Sequence, residues 1–279
     1  MIILNNLFSS YSVGNGCKYE SNNDNFFLIA GPCVIESKEE TLHIAKTLDD
    51  ITNKLNIPFV FKGSFKKANR TRLSSFTGVG DMEAIKILKE VKETLKIPIT
   101  TDIHTIEDID KLEGIVDIIQ IPAFLSRQTE LVVMAAKTGK HINIKKGQFM
   151  SAESMQYAKE KATKSGNENI LFTERGSMFG YSDLIVDFRS ITIMKKFGNP
   201  VILDITHSLQ KPNQSSGITG GQPDLIETIA KAGIAVGVDG IFLETHPNPS
   251  KSKSDGENML NLDKVEDLLI KLKRIKSSI

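Results

Sequence analysis

The sequence has only two cysteines, Cys17 and Cys33. That is too few for a disulfide framework, so a reducing, cytoplasmic setting is the expectation. Net charge is nearly absent as well: 35 Lys and Arg against 34 Asp and Glu leave +1. A general nucleic-acid binder would show a basic footprint, so none is expected here. No apolar run approaches the roughly 18 residues of a membrane span. The apolar start, 1–8, has neither a basic n-region nor an obvious small-residue cleavage signal. No GxGxxG follows the first strand-like run, which weakens a doubly wound dinucleotide-binding fold. There is no HExxH or CxxC either, so no local motif announces a metal.

What is present is ordinary in amount and ordered in arrangement. The 279 residues are 40% hydrophobic and 25% charged, with 20 glycines, as in a soluble globular protein. That length admits two small domains or one large α/β barrel, and no linker divides it. Residues 1–25 read as an N-terminal extension: a cap, a hairpin with strand fragments near Val13 and Cys17, or a mobile tail.

From residue 26 strand-like runs alternate with helical patterns. The runs are 26–32, 58–63, 97–103, 117–121, 141–145, 169–173, 200–206 and 240–245. Helical periodicity falls at 38–55, 81–95, 106–112, 127–138, 151–165, 184–197, 223–235 and 262–275. In 81–95, Ala84, Ile87, Leu88, Val91 and Leu95 recur on one face. Eight such units predict a single (β/α)8 TIM barrel over 26–279. In such barrels the chemistry sits where strands run out into βα loops. Read in order, those ends supply Cys33 and Glu36, Lys62 to Arg72, Asp102 and His104, Gln120, Lys145, Arg175, His207 and Glu244, with Asp255 beyond.

The stretch Lys62-Gly-Ser-Phe-Lys-Lys-Ala-Asn-Arg-Thr-Arg72 holds three lysines and two arginines. Alone it reads as a solvated basic turn; at such a rim it reads as an anion-binding loop. Lys145 and Lys146 point to opposite faces of one strand. Asn143 shares parity with Lys145, which places Lys145 inward. Cys33, His207, Glu244 and Asp255 come from the ends of strands one, seven and eight, which adjoin when a barrel closes. Thiolate, imidazole and two carboxylates suit Zn²⁺, Fe²⁺, Mn²⁺ or Co²⁺, although a lone cysteine after a strand is most often a small buried hydrophobe.

From Phe26 onward the chain resembles the 3-deoxy-D-manno-octulosonate 8-phosphate synthases. The carriers are Gly31-Pro-Cys-Val-Ile-Glu-Ser37, Lys62-Gly-Ser-Phe-Lys-Lys-Ala-Asn-Arg70, Thr101-Asp-Ile-His104, the run from Gln120 to Thr129, Asn143-Ile-Lys-Lys-Gly-Gln-Phe149, Thr173-Glu-Arg-Gly176, Asp204-Ile-Thr-His207 and Glu244-Thr-His-Pro247. One departure is Thr71-Arg72, where the family usually has two serines. The resemblance implies condensation of phosphoenolpyruvate with arabinose 5-phosphate. It places Lys62 and Lys67 at the phosphoenolpyruvate carboxylate, Lys145 and Arg175 at its phosphate, and Ser64, Asp102, Gln120 and Ala123 in the same site. Asn69, Arg70 and Thr71 would receive the aldose phosphate, with Arg127 reaching it across a homotetramer interface. Lys67, His207 and Asp255 would act in proton transfer. The family's metal-dependent branch has Cys at position 33 where the other has Asn, so the divalent metal would be held by Cys33, His207, Glu244 and Asp255. The loops 64–80 and 210–221 would close as lids.

Two relatives in chemistry compete with this reading: a synthase using erythrose 4-phosphate, which typically carries Lys-Pro-Arg where this chain has Lys67-Ala-Asn-Arg70, and a metal-dependent barrel hydrolase, which commonly opens with His-x-His. A non-catalytic phosphate-binding barrel is a third.

Overall fold

A computed structural model of the chain describes residues 2–9, 25–70, 72–179, 183–212 and 220–279. Eight parallel strands form the central sheet: β1 (Phe27–Gly31), β2 (Phe59–Lys62), β3 (Ile99–Asp102), β4 (Ile118–Ile121), β5 (His141–Lys145), β6 (Ile170–Glu174), β7 (Val201–Asp204) and β8 (Gly240–His246). Each pairs with the next, and β8 pairs back with β1 at Gly31 and Glu244, so the sheet closes. Closure leaves no free edge among these strands.

The helices are α1 (Ile2–Ser9), α2 (Lys38–Leu55), α3 (Asp81–Leu95), α4 (Glu107–Lys111), α5 (Thr129–Lys137), α6 (Met155–Lys164), α7 (Arg189–Lys195), α8 (Ile226–Val236) and α9 (Val265–Lys276). They form where apolar spacing and caps agree. Ser37 accepts from the Glu40 amide at 3.2 Å to start α2, and Glu39 and Glu40 complement its dipole. Asn56 ends it in the left-handed region, at φ 52°. In α3 the expected face is the buried one, with Ala84, Ile87, Leu88 and Val91 inside. Full burial of each large aliphatic side chain contributes roughly 1.5–3 kcal/mol. No helix among the described residues is long and apolar enough to cross a membrane.

One expected helix is much shorter than its apolar pattern. Over 184–197 only Arg189–Lys195 is helical, while Leu184–Ile185 pairs antiparallel with Ser177–Met178. Leu184 is buried and Ile185 exposed, a two-residue period. The Asp187 carboxylate then accepts from the Arg189 amide and marks the start of α7.

The barrel has two apolar layers with different neighbours. Outward side chains such as Leu28, Phe61 and Ile144 pack against the helices. Inward Phe27, Ile29, Val60, Ile118, Leu171, Ile202 and Phe242 fill the lower barrel with Leu7 and Phe8 of α1. Thus α1 caps the N-terminal end of the barrel, its Ile3 carbonyl 2.9 Å from His141 Nε2. Val13 and Cys17 lie outside the described residues.

Above this apolar floor the inward positions turn polar. Two residues on from Val60, Ile118, Ile202 and Phe242 come Lys62, Gln120, Asp204 and Glu244. The same two-residue step leads from Asn143 to Lys145 and from Thr173 to Arg175. Strand parity therefore delivers one ring of functional side chains to the C-terminal mouth. The ring needs close strand packing: a Cβ on Gly31 would lie 1.9 Å from the Lys62 carbonyl oxygen.

Candidate active site

The barrel mouth holds two adjoining cavities. The inner one, about 370 Å³, is lined by Cys33, Lys62, Ser64, Lys67, Asn69, Asp102, Gln120, Ala123, Lys145, Arg175, His207 and Glu244. The outer one, about 900 Å³, adds Arg70 and Asp255 and shares Lys67, Asn69, Phe124 and Gln148 with the first. The expected site residues therefore converge, with two exceptions. Arg127 is exposed and lines neither cavity. Thr71 lies outside the described residues, as do positions 213–219 of the second expected lid.

Phe242 forms the floor beneath two ammonium groups. Lys145 Nζ stands 3.6 Å above the ring centroid and Lys62 Nζ 5.8 Å from it, where the ring's negative face attracts cations. Lys62 also donates to the Cys33 carbonyl and to Glu244 Oε1, both at 2.8 Å. Burial would depress the Lys62 pKa, but Glu244 and the neighbouring Cys33 and Asp102 raise it, so the charge persists. For Lys145 burial prevails and the pKa falls, despite Asp204.

Asp204 joins two parts of the site and has no role in the sequence reading. Its Oδ2 accepts from Lys145 Nζ at 2.7 Å and lies 2.8 Å from His207 Nδ1. Its Oδ1 accepts from the Thr206 and His207 amides. Burial would raise its pKa, but His207 and Lys145 hold the carboxyl well below the usual range. With Nδ1 engaged by Asp204, the His207 Nε2 faces Glu244 Oε2 at 3.5 Å. The signal was parity: Asp204 follows Ile202 inward. A second missed element is Gln148, buried at the junction of the cavities with Oε1 unpartnered.

Arg175 is the cation most in need of a ligand. Only 4% of it is exposed, and burial lowers its pKa. It donates to the neutral Gln210 Oε1 at 2.7 Å and forms no ion pair among the described residues, while Nη1 is buried without a partner. A buried guanidinium in this state gains most from a phosphate or carboxylate.

Opposite lies the candidate metal group. Donor atoms of Cys33, Glu244 and Asp255 all fall within 4.8 Å of one another, and His207 adjoins through Glu244. Glu244 Oε2 is buried with no hydrogen-bond partner, as a carboxylate awaiting a cation would be. Burial would push Glu244 up, yet His207, Lys62 and Lys67 hold it down at about 2. The Cys33 thiol goes the other way, to about 12, through burial and then the charge of Glu244. Lys67 donates to Asp255 and, at 3.4 Å, to Cys33 Sγ. Asp255 itself sits in the left-handed region at φ 49°, a strained place for a non-glycine residue and one frequent at functional sites. The following Gly256 packs so tightly that a Cβ there would lie 2.1 Å from the Pro249 carbonyl.

A remaining pair on the same rim is His104 with Asp102, 2.9 Å apart. Burial acts against the imidazolium, but Asp102 and Asp108 prevail and raise its pKa. His246, two residues beyond Glu244 on β8, is engaged elsewhere: its Nε2 lies 3.1 Å from Glu40 Oε1, and its Nδ1 accepts from the Asn248 amide.

Comparison with known proteins adds relatives to this geometry. The profile of the DAHP synthetase I family matches residues 13–279. A "2-dehydro-3-deoxyphosphooctonate aldolase" of Geotalea uraniireducens is 49% identical over 248 residues, covering 89% of this chain and 91% of the relative. Proteins of the same name from Brucella anthropi and Desulfosudis oleivorans are each 47% identical, over 95% and 99% of this chain and 95% and 96% of their own lengths.

Proposed function

The chain belongs to the DAHP synthetase I family, and we propose that it condenses phosphoenolpyruvate with arabinose 5-phosphate and water, releasing 3-deoxy-D-manno-octulosonate 8-phosphate and inorganic phosphate. Arg175 carries this reading: a buried guanidinium with no ion pair among the described residues, beside Lys62, Lys67 and Lys145 in one cavity, is built to receive a small dianion. The relatives' name supplies the eight-carbon product. Asn69 and Arg70, in the wall of the larger outer cavity, suit the second phosphorylated substrate.

In this reading Arg175 and Lys145 hold the phosphate of phosphoenolpyruvate, and Lys62 and Lys67 face its carboxylate. C3 attacks the aldehyde carbon, forming the new C–C bond and leaving positive charge at C2. Water adds its oxygen to C2 as one of its protons passes to the new alkoxide, and the resulting hemiketal phosphate breaks its C2–O bond to expel phosphate, the remaining hydroxyl proton leaving as C2 becomes a carbonyl. Lys67 is held charged, because Cys33, Asp255 and Glu244 outweigh its burial and raise its pKa. It therefore stabilises the aldehyde oxygen as it becomes an alkoxide, rather than surrendering its own proton. Asp204 fixes His207 and Lys145 together, so the phosphate-holding side and the hydration side stay in register.

Cys33, Glu244 and Asp255, whose donors cluster, together with His207 beside Glu244, would hold a divalent metal such as Zn²⁺, Fe²⁺, Mn²⁺ or Co²⁺. When bound it would polarise an oxygen and lower the pKa of a water. A buried Cys33 thiol kept for this purpose suits a reducing cytoplasm.

A homotetramer completes the proposal. Exposed Phe124, Phe149, Met178, Phe179 and Ile185 lie on the neighbouring loops after β4, β5 and β6, and exposed Arg127 follows Phe124 on the first of these loops. Apolar exposure of this kind marks an interface, across which Arg127 would reach a neighbour's aldose phosphate. Light scattering should give four times the chain mass; a monomer would remove this part.

The direct test of activity is phosphate release with both substrates, before and after chelation. Release should require arabinose 5-phosphate, stop when EDTA has removed the metal, and return with Mn²⁺ or Zn²⁺. Release that persists in demonstrably metal-free protein would keep the synthase and discard the metal's role. Folded, metal-loaded protein that releases nothing would overturn the assignment.

A further inference from the structure

We propose that Lys146 and Glu174, on the outer face of the sheet, form a positioning pair that holds Arg175 and the loop after Lys145 in their phosphate-receiving arrangement. The inference rests on the function proposed above and extends it to two side chains that touch neither cavity.

Parity sends Lys146 outward from β5, but outward here means into the layer between sheet and helices. Its ammonium is fully buried, as is the Glu174 carboxylate, and they lie 3.4 Å apart. Burying two charges costs more than filling the same space with apolar side chains, so the pair is poorly explained as simple packing. What it holds explains it better. Lys146 Nζ donates to Ser177 Oγ at 2.9 Å and to the Met150 carbonyl at 3.2 Å. Glu174 Oε1 accepts from the Gly176 amide at 2.7 Å. Gly176 has φ 85°, a left-handed turn directly after Arg175. The pair thus clasps both chain segments that continue from the phosphate-holding residues, 147–150 after Lys145 and 176–177 after Arg175. The segments are further joined by the Met178 amide donating to the Gln148 carbonyl at 2.9 Å. Arg175, which has no ion-pair partner among the described residues, depends on that turn for its aim.

The test compares Lys146→Met, Glu174→Met and the double variant K146M/E174M in the metal-loaded enzyme. Each single change strands one buried charge and should lower Tm. The double change removes both charges and should recover much of that loss. A positioning role predicts that the double variant nevertheless keeps a phosphoenolpyruvate KM raised about tenfold, with the arabinose 5-phosphate KM within about twofold of the parent. Calorimetric titration with inorganic phosphate should show a similar weakening, and reads the pair even if the parent turns over neither substrate. A double variant with recovered Tm and parental phosphate affinity would overturn the proposal. So would equal losses for both substrates that simply follow Tm.

Discussion

Replacing Asp204 with asparagine should lower kcat/KM for phosphoenolpyruvate by about 10³-fold. The amide has nearly the volume of the carboxylate, and its oxygen can still accept from the Thr206 and His207 amides. Its nitrogen must then face Lys145 Nζ and His207 Nδ1, two groups that now meet an acceptor at 2.7 and 2.8 Å. Lys145 loses its one ion-pair partner among the described residues while staying buried, and breaking such a pair costs about 3–5 kcal/mol. His207 loses the contact that orients its ring, a defect that in other oriented histidines lowers rates by about 10²–10⁴-fold. Assays well below the variant's Tm separate the effect from unfolding. A value within threefold of the parent would show that Asp204 does not organise the site.

Cys33→Ala should reduce bound metal at least tenfold and activity about 100-fold. A more specific signature lies in the pH dependence. Burial and the charge of Glu244 hold the metal-free thiol at about 12, so below that pH it carries its proton. Coordination as thiolate must expel this proton. Metal affinity should therefore rise about tenfold per pH unit through neutrality and fall by the same factor on acidification. In Cys33→Ala that contribution to the slope disappears. Unchanged metal content in this variant would exclude Cys33 as a ligand.

Most of the candidate site was legible as a cluster of neighbouring side chains, because strand parity and strand ends converge. Val60 to Lys62, Ile118 to Gln120 and Phe242 to Glu244 each place an apolar residue in the floor and a polar one at the mouth. The barrel followed from repetition of that pattern with amphipathic helices between. What escaped depended on partners distant in sequence. Asp204 reads as an ordinary polar strand end until β5 brings Lys145 against it. Lys146 could be assigned a face but not its surroundings, since a lysine outside the sheet is buried only if helices and loops cover it. The pairing of Ser177–Met178 with Leu184–Ile185 is too short for a periodic signal. The helix α1 is equally opaque, because Leu7 and Phe8 make sense only beneath a closed barrel.

That lower closure has a bearing on the order of events. With α1 and the aromatic floor closing one end, the barrel resembles a well that, among the described residues, opens at the other. Phosphoenolpyruvate, assigned to the deeper chamber, has to pass the place where the aldose later rests. The sugar phosphate then becomes a stopper, and a molecule already at the bottom is committed to react or wait. On the assignment proposed above, the deep substrate enters first.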